Sequence, residues 1–156
     1  MVKQDATVRM IARNRKARYD YHIESTVEAG LELRGSEVKS VREGKVNLSD
    51  AYAVVEDGQA VLKNLHISPY KMAQEDHDPI RPRRLLMHKR EIRKLAIRTQ
   101  QRGMTLVPLA VYFRGAYVKV ELGLGLGRKK YDKRQAIARA EADRKIRRAV
   151  RKDVDK

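Results

Sequence analysis

Between Tyr19 and Leu33 the chain alternates for fifteen residues, and no other stretch restricts its fold as much. Tyr19, Tyr21, Ile23, Val27, Ala29, Leu31 and Leu33 take the odd positions, with Ser25 the one polar exception. Asp20, His22, Glu24, Thr26, Glu28 and Glu32 take the even ones. A period of two gives a strand with one buried and one wet face. Because the run is longer than an ordinary strand, it has to bend, and Gly30 is the expected place. A long curved strand is what a small closed barrel requires. Tyr19 and Tyr21 fall on the buried register.

The flanking sequence reads as a mainly β, α+β chain. Val8–Ala12 is a short strand, followed by a basic turn over Arg13–Arg18. Gly35-Ser36 supplies a turn and N-cap for a short helix, Glu37–Arg42, with Gly44 placed to end it. Asp57-Gly58 joins strands at 51–56 and 59–67, and Arg114-Gly115 joins strands at 106–113 and 116–124. Residues 74–82 form a polar, proline-bounded loop. A helix is expected over Leu86–Arg102, with Ile92, Leu95, Ala96 and Thr99 on one stripe and Gly103 closing it. In the last strand Lys119 and Glu121 lie opposite Val118, Val120 and Leu122. An oligonucleotide-binding (OB)-type β-barrel with accessory helices, spanning 1–122, fits this order. A basic tail would follow over 123–156.

The net charge of +16 is concentrated in two places. Residues 81–102 hold nine Lys and Arg against one acid, and residues 128–156 hold thirteen against five. Clustered cations of this kind attract nucleic acid, because each neutralised phosphate releases counterions. On a helical wheel the tail carries a broad basic arc and a thin apolar strip of Ala142, Ile146, Ala149 and Val150. The expectation is disorder when free and a helix when an anion neutralises the arc; an always-solvated charged helix is the alternative. Gly123, Gly125 and Gly127 are placed as a hinge, since their spacing matches no phosphate-binding loop.

Seven Tyr, one Phe and no Trp leave little aromatic surface for stacking single-stranded bases. Recognition of a folded RNA by backbone and shape fits better. On the exposed face Glu28 either accepts hydrogen bonds from a base edge or faces water. With no cysteine, disulfides and thiolate metal sites are excluded. The Glu75–Asp78 cluster reads as a polar turn, so no metal, cofactor or catalytic residue is expected. No signal-like apolar region or membrane-length segment occurs.

Specific blocks then resemble a known family. Ile11-Ala12-Arg13-Asn14-Arg15-Lys16-Ala17-Arg18-Tyr19-Asp20-Tyr21, Glu28-Ala29-Gly30-Leu31, Gly35-Ser36-Glu37-Val38-Lys39-Ser40, Arg84 to Glu91 and Lys130-Tyr131-Asp132-Lys133-Arg134 are similar to the small protein B (SmpB) family. Its members bind bacterial transfer-messenger RNA (SsrA RNA). The resemblance implies an RNA-binding, non-enzymatic protein of trans-translation in the bacterial cytoplasm, monomeric when free. It would bind the tRNA-like domain of transfer-messenger RNA, act with elongation factor Tu through that complex, and enter stalled ribosomes against small-subunit RNA. By position, Glu28, Leu86 and Lys119 would bind the RNA, with Asn14, Arg15, Lys16, Arg83 and Arg84. The base-facing reading of Glu28 is then preferred. Lys129, Lys130, Tyr131, Asp132, Lys133 and Arg134 would act at the decoding site and in the empty messenger channel. Two positions depart from the family pattern, Leu126 and Arg128, where lysines are common. A ribosomal protein with a basic extension is the alternative reading.

Overall fold

The computed structural model describes residues 7–72, 77–101 and 103–154. In chain order these form β1 (Val8–Arg13), α1 (Arg15–Asp20), β2 (Tyr21–Leu31), α2 (Gly35–Arg42), β3 (Val46–Asn47), β4 (Tyr52–Glu56) and β5 (Gln59–Lys63). There follow β6 (His66–Ile67), β7 (Arg83–Leu86), α3 (Lys89–Thr99), β8 (Met104–Arg114), β9 (Tyr117–Gly127) and α4 (Arg128–Val154). The fold is mostly β, with four helices among the described residues. Pairing runs β8-β4-β5-β7-β2-β9 and returns from β9 to β8, while β1 adds outside along β8. Six strands therefore close into a ring, with antiparallel pairing throughout. The closure is narrow at β4–β8, where a single pair, Ala53–Leu106, is made. Helix α3 lays Ile92 into the ring's core, with Leu95 and Met87 packed beside it.

The alternating run serves two cores. Val27, Ala29 and Leu31 face the main core with Leu106, Val120, Leu122 and Leu124. Tyr21 and Ile23 pack instead on a small second core of Ala17, Val107 and Leu109. The switch is a bulge at Glu24, between the pairs Ile23–Gly125 and Ser25–Leu124. One extra residue reverses which face the odd positions take. A matching bulge at Leu109 on β8 keeps the partner strands in step. The bend is thus at Glu24 and not at Gly30.

Other expectations are corrected at the same level of detail. The basic turn after β1 is helix α1, capped by the Asn14 side chain, and Tyr19 on it is 82% exposed. Arg83–Leu86 is a strand, and the helix begins only at Lys89 after His88. The second strand of the Asp57-Gly58 hairpin stops at Lys63, and His66–Ile67 pairs with β3. The cap of α2 is not Ser36: the Glu37 carboxylate accepts the Arg34 N–H at 2.8 Å. Gly123, Gly125 and Gly127, expected as a hinge, all lie in β9. A Cβ on Gly123 would sit 2.9 Å from Leu109 Cδ1, and one on Gly125 would sit 3.0 Å from Tyr21 Cβ. The bare backbone is what lets the second core press against this strand.

Glu37 is fully buried and accepts hydrogen bonds from two arginines. Arg83 Nε donates to it at 2.6 Å and Arg81 Nε at 3.1 Å, with Arg81 Nη2 also donating. Arg83 spends its remaining donors on carbonyls, Leu65 at 2.5 Å and Pro79 at 3.2 Å. Burial pushes the Glu37 carboxyl up, but Arg81, the Arg34 N–H and Arg83 outweigh it and hold it below the ordinary carboxylate range. His77, also buried, donates from Nε2 to Ile67 O at 2.9 Å when Nδ1 accepts the Ser36 hydroxyl at 3.1 Å. This network ties α2, β7 and the segment before β7 to the ring.

Candidate nucleic-acid interface

Register places the RNA-facing candidates on the outside of the ring. Gly30 on β2 lies opposite Lys119 on β9 and opposite Leu86 on β7, so the three form one row across three strands. Strand alternation turns Lys119 and Leu86 outward, because Val120 and Leu85 face the core. A Cβ on Gly30 would stand 3.2 Å from Leu86 Cβ, so the leucine, 50% exposed, leans over bare backbone. Glu28 is two residues from Gly30 on the same face. Glu28, Leu86 and Lys119 therefore converge although 58 and 33 positions separate them in sequence.

Glu28 meets neither water alone nor an open space. Its Oε2 accepts the Tyr112 hydroxyl and Arg114 Nη2, the latter at 2.8 Å. Arg114 holds the carboxyl below its usual value despite partial burial, helped by Tyr112 and by the charge of Lys119. Burial and then Glu28 push the Tyr112 hydroxyl up to about 12, so it remains a donor at neutral pH. Glu121, opposite Glu28, pairs with Arg18 at 3.4 Å. The result is a polar face whose donors and acceptors are held in fixed directions. Gly30, Tyr112 and Arg114 were missed as candidates, because nothing local in sequence marks a cross-strand partner.

The remaining candidates divide by burial. Arg15 and Lys16 are exposed on α1, and Arg84 is exposed on β7. Asn14 is 7% exposed; its Nδ2 donates to Pro108 O at 3.0 Å and Leu48 O at 3.2 Å, and its Oδ1 accepts the Ala17 N–H at 3.1 Å. Its side chain positions α1 and offers nothing outward. Arg83 is likewise enclosed by Glu37 and carbonyl groups.

Where β9 becomes α4 a second cluster forms. Arg128 Nε donates to Tyr19 O at 3.1 Å and Nη2 to Arg18 O at 3.3 Å, both carbonyls at the C-terminal end of α1. A planar fork reaches two carbonyls at once, which an ammonium does less well. Leu126 is 1% exposed and fills the main core, a position unsuited to a charge. The Tyr131 ring stacks on His22 with centroids 3.9 Å apart and planes 14° from parallel. Lys129 and Lys130 border an open cleft with Arg18, Tyr19 and Tyr21. Asp132, Lys133 and Arg134 follow on the exposed helix. Farther along, Ile137, Ile146 and Val150 are 50%, 62% and 57% exposed.

Among the described residues no group of three His, Cys, Asp or Glu is placed to hold a metal ion. Glu75 and Asp76 lie outside them. No helix among them is long and apolar enough to cross a membrane.

The SmpB protein family model matches residues 11–152. The SsrA-binding protein of Halothermothrix orenii is 57% identical over 145 residues, covering 92% of this chain and 94% of its own length. That of Microcystis aeruginosa is 51% identical over 154 residues, covering 97% of this chain and all of its own. A solved structure described as "tmRNA-SmpB: a journey to the center of the bacterial ribosome" contains a chain 50% identical, with a TM-score of 0.64. That match covers 74% of this chain and 82% of the other. With the model spanning nearly the whole sequence and relatives above half identity along it, the chain belongs to the SmpB protein family.

Proposed function

We propose that this protein binds transfer-messenger RNA and carries it to stalled ribosomes in trans-translation, without catalysing a reaction itself. The observation that carries the reading is the row Lys119–Gly30–Leu86 with Glu28 beside it, assembled by strand register from three strands distant in sequence. The closed ring is read as an OB-type barrel, whose outer β2–β9–β7 face grips the tRNA-like domain. Arg15, Lys16 and Arg84 add phosphate contacts at its edges, while Asn14 and Arg83 hold the elements that carry them. The protein acts as a monomer in the bacterial cytoplasm and meets elongation factor Tu through the RNA complex.

The part beyond Gly127 acts separately on the ribosome. Lys129, Lys130, Tyr131, Asp132, Lys133 and Arg134 face the decoding site, and the rest of α4 enters the empty messenger channel along small-subunit RNA. The exposed Ile137, Ile146 and Val150 support a segment whose helix gains stability only on an anionic partner. Truncation after Gly127 tests the division. The shortened protein should retain affinity for the tRNA-like RNA in a gel-shift titration and lose tagging of stalled chains. A truncated protein that still supports tagging refutes it.

A further inference from the structure

The grip face alone is close to charge balance. Lys119, Arg114 and Arg18 stand there against Glu28 and Glu121, with the last two cations already in ion pairs. A polyanion therefore needs cations from elsewhere, and the block at residues 81–102 supplies them selectively. Arg81 and Arg83 share the Glu37 carboxylate, and Arg98 pairs with Glu24 at 3.1 Å. Arg84, Lys89, Arg90, Arg93 and Lys94 are exposed and make no ion pair among the described residues. Glu91, the one acid of α3, caps its own helix at the His88 N–H, 3.3 Å away.

The spacing of these cations repels. Lys89 with Arg93, and Arg90 with Lys94, are like charges four residues apart on one helix, an arrangement unfavourable unless an anion lies across them. Three of the unpaired cations also border a defined feature. Arg84, Lys89 and Arg93 line an open cleft between α3 and the β4–β5 hairpin, together with Val55, Gln59 and Leu86, and Asp57 is its single acid among the described residues. Leu86 belongs both to this cleft and to the row with Gly30 and Lys119. The cleft is thus the continuation of the grip face past its hydrophobic edge.

We propose that the cleft and the exposed side of α3 form a second stretch of the same RNA interface, in which Lys89 and Arg93, flanked by Arg90 and Lys94, bind the phosphate backbone of the RNA strand that crosses Leu86. Recognition there is of backbone charge, while the Glu28–Lys119 face orients the RNA. The inference rests on the RNA-binding reading above and extends it by four residues.

The full-length wild-type protein and the double variants Lys89→Ala/Arg93→Ala and Arg90→Ala/Lys94→Ala are titrated with tRNA-like-domain RNA at several salt concentrations. All four positions are exposed on a short helix, and circular dichroism verifies that each variant is folded. Each double variant should bind more weakly and lower the slope of log affinity against log salt by about two, roughly one per cation removed. Wild-type slope and affinity in both variants would overturn the inference and leave the grip-face reading standing. Failure of the wild type to bind this RNA would overturn both. A third outcome, normal binding to the RNA with weakened binding to isolated ribosomes, would assign these cations to ribosomal RNA and also overturn it.

Discussion

Glu37 and Glu28 both accept hydrogen bonds from arginines, with opposite consequences. Glu37 is wholly buried, as is Arg83, and Arg81 is only partly exposed. Glu28 and its partner Arg114 keep 35% and 40% of their side-chain surface. Both carboxyls are held below the ordinary range, yet burial opposes the shift far more at Glu37. Removing one member of a buried pair strands the other in low dielectric, whereas an exposed pair can be replaced by water. The first carboxylate therefore sustains the architecture and the second remains addressable by a ligand. The ionic chemistry is shared; the depth is not.

The most direct way to break this contrast is to remove each carboxylate in turn. Glu37→Ala leaves Arg83 buried with carbonyl partners alone and should cost about 3–5 kcal/mol in urea denaturation. Equal losses for Glu37→Ala and Glu28→Ala would erase the distinction. Acid should sharpen it. A carboxyl whose folded pKa is depressed contributes stability that is fully present above the unfolded value, 4.5 for Glu, and lost as pH falls through the folded pKa. Stability measured between about pH 6 and 3 should thus fall less steeply in Glu37→Gln than in wild type.

Smaller effects belong to the surface pair. Glu28→Gln should change unfolding stability by no more than about 1 kcal/mol while weakening RNA affinity about tenfold or more. The same variant should move the Tyr112 hydroxyl from about 12 back toward 10 in an absorbance titration, since Glu28 is the second cause of its shift after burial. An unmoved Tyr112 would mean that Glu28 does not orient that hydroxyl.

Local chemistry made part of this architecture legible in advance. Asp57-Gly58, both at positive φ, turns the hairpin as its sequence indicates, and Gly44 at φ 79 ends α2. The stripe from Ile92 to Thr99 also lies on a real helix. What escaped is non-local. A bulge adds a residue without requiring any particular side chain, so the reversal at Glu24 left the alternation looking unbroken. Leu86 reads as the opening of a helix because only its pairing with Gly30 in β2 makes it a strand residue. Arg81 and Arg83 read as surface charge because Glu37, which accepts from both, lies 44 and 46 residues away.

The glycine strand carries a mechanical consequence. Because Gly123 and Gly125 are pressed between neighbouring side chains, and Arg128 and Tyr131 fasten the next turn, α4 leaves from a wall. A helix of 27 residues is about 40 Å long. A rotation of about 10° at its root would carry the far end through about 7 Å, roughly five residues of helical rise. While α4 is helical, Leu126, Arg128 and the His22–Tyr131 stack set the direction in which it leaves β9, and small substitutions there shift where a distant cation arrives.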